Sequence, residues 1–149
     1  MLRLSKKMFY AIEAVLYIAY NGAGDPVSSK EIAKRQNLPP RYLEQIMQAL
    51  VHAGILRGVR GPKGGYLLAR ERRRIPLGEI CQVIRNMDPL ELDKYQQTPL
   101  SREIAFPLYR RLEQAMMKEL KDTNIADLCQ QAEDARVPRG TEDAVDFTI

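Results

Sequence analysis

The feature that most restricts the fold is a basic hairpin signal set directly behind an amphipathic helix signal. Ile55-Leu56-Arg57-Gly58-Val59-Arg60 reads as a strand, Gly61-Pro62-Lys63-Gly64-Gly65 as a turn, and Tyr66-Leu67-Leu68-Ala69 as the returning strand. Immediately upstream, residues 40–52 place Leu43, Ile46, Met47, Leu50 and Val51 at helical spacing. The opposite face of that segment is polar: Arg41, Glu44, Gln45 and Gln48. Gly54 follows as the residue that ends the helix. An isolated two-stranded hairpin is marginal at best in water, so this one must lean on the helices beside it.

Two further helices precede it. Over residues 4–20, Leu4, Met8, Ile12, Val15, Leu16 and Ala19 recur with helical periodicity, and Asn21-Gly22-Ala23-Gly24-Asp25-Pro26 then breaks the pattern. Ser28 with Glu31 forms a capping-box pattern for a short helix from Ser29 to Gln36, with Ile32 and Ala33 facing inward. Asn37-Leu38-Pro39-Pro40 ends it, and proline suits the first turn of the next helix. Two short helices joined by a tight turn fit a helix-turn-helix or, equally, a three-helix bundle. The basic hairpin directly after them favours a winged helix-turn-helix.

Beyond the hairpin, Pro76 opens a helix through about Asn86, with Leu77, Ile80, Cys81 and Ile84 on one face. Residues 87–99 lack periodicity and read as a linker loop. Residues 100–121 carry a stripe of Ile104, Leu108, Leu112, Ala115, Met116 and Leu120, interrupted by Pro107. An interior proline costs about 3 kcal/mol, so the helix is expected to begin or kink there. Asn124 can cap a last helix through about Ala135, on which Ile125, Leu128 and Cys129 are apolar. The fold class is therefore mainly α: a winged domain over 1–86, the linker over 87–99, a long helix and a short one over 100–135, and a tail over 136–149 expected to be loose. The striped helix needs a cover. Self-association as a homodimer is the economical one, and folding back onto its own domain is the alternative.

Charge divides the same way. Residues 1–75 hold 14 Lys and Arg against 5 Asp and Glu, whereas residues 76–149 hold 9 against 14. An anionic partner is expected for the front half alone. The apolar part of the N-terminus is interrupted by Glu13, and no run reaches the roughly 18 residues of a membrane span. A cytoplasmic protein is expected. No nucleophile-elbow, phosphate-loop or metal-binding motif stands out, and His52 is the single histidine, so no enzyme is expected.

The segment Leu38–Arg70 carries YLEQI, AGIL and VRGPKGGY in an order and spacing that resemble the Rrf2 family of winged-helix regulators. That family includes an iron–sulfur cluster regulator, a nitric-oxide-sensitive repressor and a cysteine-metabolism repressor. SSKEIAKRQNLP, IPLGEICQVI and LYRRLEQAMMKELKDTNIADL resemble its flanking helices, so the likeness spans about residues 1–130. It implies a homodimeric transcription factor, a repressor by expectation, on a pseudo-palindromic operator in double-stranded DNA. A regulatory module governed by a partner protein is the alternative. Sensing members hold an iron–sulfur cluster through three cysteines before the dimerisation helix; here Asn86–Glu103 contains none, with Met8 and Arg102 near the places of auxiliary ligands. Thiolates are the ligands such clusters require. No cluster or other metal is expected, and Cys81 and Cys129 read as small core residues.

On a winged helix the third helix enters the major groove. Glu44 suits a cytosine amino group and Gln45 an adenine. Ser28, Ser29, Lys30, Arg41 and Tyr42 suit phosphates. In the wing, Arg60 or Lys63 would enter a narrow minor groove, with Arg57, Gly61, Gly64, Gly65 and Tyr66 completing the surface. The wing glycines permit positive φ and would also let backbone approach DNA. Arg70, Arg72, Arg73 and Arg74 are either a solvated run or phosphate contacts.

Overall fold

Helix α1 (Lys6–Asn21) begins where the Ser5 side chain accepts from the Met8 N–H at 3.1 Å. The computed structural model describes residues 5–22, 24–89 and 91–140; Leu4 of the expected stripe lies outside them. The buried face of α1 is Ala11, Ala14, Val15, Ile18 and Ala19. Met8, Ile12 and Leu16 lie on its flank, half-buried. The expected stripe was thus rotated, because the alanines are small enough to let neighbouring helices approach closely and take the centre.

Helix α2 (Ser29–Gln36) is capped as expected, with Ser28 Oγ accepting from the Glu31 N–H at 3.2 Å. The Glu31 carboxylate accepts from the Tyr17 hydroxyl at 2.8 Å, tying α2 to α1. Asn37 takes a left-handed conformation (φ 53°), and Leu38 N–H closes on the Ala33 carbonyl at 2.9 Å. That reversal starts helix α3 (Pro40–His52), whose Leu43, Ile46, Met47 and Leu50 are fully buried.

Strands β1 (Leu56–Val59) and β2 (Gly65–Leu68) pair antiparallel, Leu56 opposite Leu68 and Val59 opposite Gly65. A second stitch holds this wing. Val27 N–H donates to the Tyr66 carbonyl at 3.0 Å, and Tyr66 N–H donates back to the Val27 carbonyl at 2.8 Å. The residue before the α2 cap therefore forms a third, one-residue strand.

After a single 3-10 turn (Arg72–Arg74) comes helix α4 (Leu77–Met87), with Leu77, Ile80 and Ile84 in the common core and Cys81 buried beside them. Leu77 N–H donates to the Thr123 carbonyl (2.9 Å) and Ile125 N–H to the Ile75 carbonyl (3.0 Å), clamping the far end of the long helix to the winged head. Among the described residues of 87–99 there is one 3-10 turn, Leu92–Tyr95.

Helix α5 (Phe106–Asp122) begins as expected with Pro107 in its first turn, and a π-turn, Ser101–Ala105, leads into it. Phe106 N–H donates to the Ser101 carbonyl. The widened turn takes in an extra residue and relieves the ring clash and missing donor that Pro107 brings. Helix α6 (Ile125–Asp134) has a full capping box between Asn124 and Asp127 and buries Ile125 and Cys129.

The start of the tail is not loose. Tyr20 hydroxyl donates to the Val137 carbonyl (2.5 Å), Arg139 Nε to the Tyr20 carbonyl (3.2 Å), and Gly140 N–H to Asn21 Oδ1 (2.5 Å). The Arg139 guanidinium also lies 4.5 Å from the centre of the Tyr20 ring. Residues 136–140 are fastened across α1 by its polar C-terminal turn; 141–149 lie outside the described residues. Among the described residues, no helix is long and apolar enough to cross a membrane.

Candidate nucleic-acid interface

The α2 N-terminus, the outer face of α3 and the wing enclose an open cleft of about 630 Å3. Ser28, Ser29 and Lys30 form one wall, and Arg60, Gly61, Gly64, Gly65 and Tyr66 the other. These eight residues of the sequence reading converge although up to 38 positions separate them. Arg41, Glu44 and Gln45 are exposed along α3, and Lys63 is exposed at the wing tip. Gln48, Gly58 and Pro62 also line the cleft. Gln48 was readable, since it lies one turn beyond Glu44 on the same polar face.

Three assignments change. Arg57 lies away from the cleft, lining a separate depression with Ile18, Ala19 and Leu67. Alternate strand residues face opposite sides, and Gly58 and Tyr66 take the cleft side. Tyr42 packs edge-on against Tyr10 of α1 (6.4 Å, 89°), with Lys7 6.0 Å from its ring centre. It supports α3 from behind. Arg70 is an internal staple. It donates to Glu79 Oε1 and Oε2 at 2.5 and 2.7 Å, to the Gly54 carbonyl at 3.1 Å and to the Arg74 carbonyl at 3.2 Å. Its hydrogen bonds hold the Glu79 carboxyl below the usual carboxylate range against the opposing effect of burial. In the rest of that run, Arg73 pairs with Glu71 at 3.0 Å, and burial pushes the Cys129 thiol up against the opposing charge of Arg72.

The glycines serve the fold first. Gly61 needs its φ of +109° for the turn. A Cβ on Gly65 would lie 2.4 Å from the Val27 carbonyl oxygen, and one on Gly64 2.2 Å from that of Val59. Tight backbone approach within the protein therefore accounts for both. Across the cleft, burial and then the Glu44 carboxylate push the Tyr66 hydroxyl above its ordinary range.

The α5 stripe divides. Ile104, Leu108 and Leu112 are 63%, 46% and 46% exposed, joined by Leu100 at 73%, and Ala115 is exposed. Leu120 instead packs on the core of its own chain, and Met116 faces a cavity shared with α4. These two leave the expected interface, because the clamp at Thr123 draws this end of α5 onto the head. Arg85 reinforces it through Glu113 at 2.6 Å, and Tyr109 donates to Glu113 at 2.6 Å. Burial opposes ionisation of Glu113, but the Tyr109 and Arg85 hydrogen bonds outweigh it and lower its pKa.

Cys81 and Cys129 are buried, and burial raises both thiols. They lie on separate helices, and Asn86–Glu103 offers no thiolate. Among the described residues, no group of three or more His, Cys, Asp or Glu side chains is placed to hold a metal ion. The donor set does not fit an iron centre held by thiolates.

A family model described as "Rrf2: Iron-dependent Transcriptional regulator" matches residues 4–131. The protein rrf2 of Nitratidesulfovibrio vulgaris is 32% identical over 136 residues, 88% of this chain and 89% of that one. The HTH-type transcriptional regulator CymR of Bacillus subtilis is 32% identical over 128 residues, 85% and 89% of the two chains. Among solved structures, IscR of T. potens superposes with a TM-score of 0.73 at 31% identity, covering 94% of this chain and 95% of that one.

Proposed function

The chain belongs to the Rrf2 family of transcriptional regulators, and from that premise we propose that it represses transcription by binding a pseudo-palindromic operator as a homodimer. The observation that carries this reading is the cleft in which Lys30 and Arg60 flank the polar face of α3. Glu44, Gln45 and Gln48 read base edges in the major groove, Gln45 paired with adenine and Glu44 with a cytosine amino group. Ser28, Ser29, Lys30 and Arg41 hold phosphates, helped by the N–H groups that open α2. Arg60 or Lys63 occupies the flanking minor groove.

The bare half of the α5 stripe supports self-association. Leu100, Ile104, Leu108 and Leu112 occupy one face of a continuous helical segment with no cover among the described residues, and a two-fold axis through that face would present two reading helices to two half-sites. The family description names iron, but the donor chemistry of this chain supports a regulator without a thiolate-held cluster. The protein would act in the cytoplasm, on the nucleoid.

The test is selection of bound sequences from random DNA, followed by affinity measurements across a salt series. A two-fold consensus is expected, with log K falling steeply against log salt. Arg60→Ala should weaken binding by about 1–3 kcal/mol. No enriched sequence and a flat salt response would sink the proposal.

A further inference from the structure

The N-terminal turn of α1, the C-terminal end of α4 and the C-terminal half of α5 enclose a second cavity, of about 240 Å3. It is separate from the DNA-facing cleft. Its walls are chiefly Met8, Ile84, Met116, Met117 and Leu120. Half of the chain's six methionines thus line one small space. Unbranched thioether side chains adapt to the shape of an apolar guest.

Two cations also line it. Arg85 is committed to Glu113, whose side chain is only 14% exposed. Lys7 is held differently. Its side chain is 20% exposed, but the partner it meets at 2.5 Å, Asp88, is 71% exposed. An ion pair with one member largely in solvent contributes little, so another carboxylate can replace Asp88 at small cost. The cavity therefore presents an ammonium with a displaceable counterion beside an apolar space.

We propose that this cavity is an effector site for a small monocarboxylate with an apolar tail. The carboxylate takes the place of Asp88 on the Lys7 ammonium, and the tail lies among Met8, Met116 and Met117. Occupancy there bears on the DNA-reading head through α4. One end of α4 lines the cavity with Ile84, and the other carries Glu79, which clamps Arg70 to the carbonyl of Gly54 behind α3. The regulatory part of the proposal rests on the DNA-binding reading above; the site itself does not.

Hexanoate is the probe, titrated into the full-length protein carrying 13C-methyl methionine. Saturable shifts are expected at Met8, Met116 and Met117, with Met47, on the buried face of α3, unmoved. Butanoate should bind roughly tenfold more weakly for its two missing methylenes. Lys7→Gln should weaken hexanoate about tenfold, and Asp88→Asn, at an exposed position that does not threaten folding, should tighten it several-fold. Hexanol binding as well as hexanoate, or both variants leaving the Kd unchanged, would overturn the site. Saturating hexanoate should change the affinity for selected DNA by at least about threefold, within the usual range of allosteric coupling. Unchanged DNA affinity in a protein that binds both would overturn the regulatory role. Failure to bind any DNA would count against the operator reading and leave the methyl result standing.

Discussion

Arg70→Met separates two roles that its position in a basic run leaves open. A phosphate contact and an internal staple predict opposite outcomes. The side chain makes a two-pronged bond to Glu79 and single bonds to the carbonyls of Gly54 and Arg74. Arg70 and Glu79 side chains are 28% and 37% exposed, so screening limits the ion pair to about 1 kcal/mol. The two carbonyl bonds add about 0.5 kcal/mol each at this exposure. The expected loss is about 2 kcal/mol, or roughly 4–8 °C in Tm for a chain of this length. Thermal unfolding at fixed protein concentration measures it, since any dimer makes Tm concentration-dependent.

The pH dependence follows from Glu79. Arg70 lowers its pKa in the folded state, so the stabilisation is complete above the unfolded carboxyl pKa and is lost as pH falls through the lowered folded value. The Tm gap between wild type and Arg70→Met should therefore narrow in acid, to the part contributed by the two carbonyl bonds. The slope of log K against log salt for DNA should remain unchanged, whereas loss of a phosphate contact would reduce it by about 1 per subunit. Unaltered stability with a reduced slope would refute the staple.

Leu108→Glu combined with Leu112→Glu should convert a dimer to a monomer in sedimentation while leaving the helical circular dichroism intact; a dimer that persists would remove this face from the interface. Gly65→Ala should destabilise by about 2 kcal/mol or more, because its Cβ would meet the Val27 carbonyl at 2.4 Å, and amide exchange should show Val27 and Tyr66 losing protection first. Asn124→Ala removes the capping box of α6 and should cost about 1 kcal/mol in urea unfolding, with no effect on DNA affinity measured under folding conditions.

The sequence determined what depends on local chemistry. The cap at Ser28, the proline start of α3, the amphipathic face from Leu43 to Leu50 and the turn Gly61–Gly65 follow from side-chain type and spacing over a few residues. So does the membership of Ser28, Lys30, Arg60 and Tyr66 in one surface, once a wing is recognised behind a helix-turn-helix. Tertiary structure decided whatever depends on which partner a side chain meets. Arg70 and Arg60 both follow basic, glycine-rich sequence, yet among the described residues Arg70 finds a carboxylate, nine residues on, and Arg60 does not. Arg57 and Tyr66 sit on paired strands, and the pleat sends them to opposite sides. Pro107 permits a kink or a start, and the α-helix starts there, behind a π-turn that local sequence did not announce. Likewise, one stripe from Ile104 to Leu120 becomes two surfaces, because the clamp at Thr123 draws its end onto the head and leaves the rest bare. Periodicity can say which residues share a face of a helix; what that face touches is fixed by contacts between segments far apart in the chain.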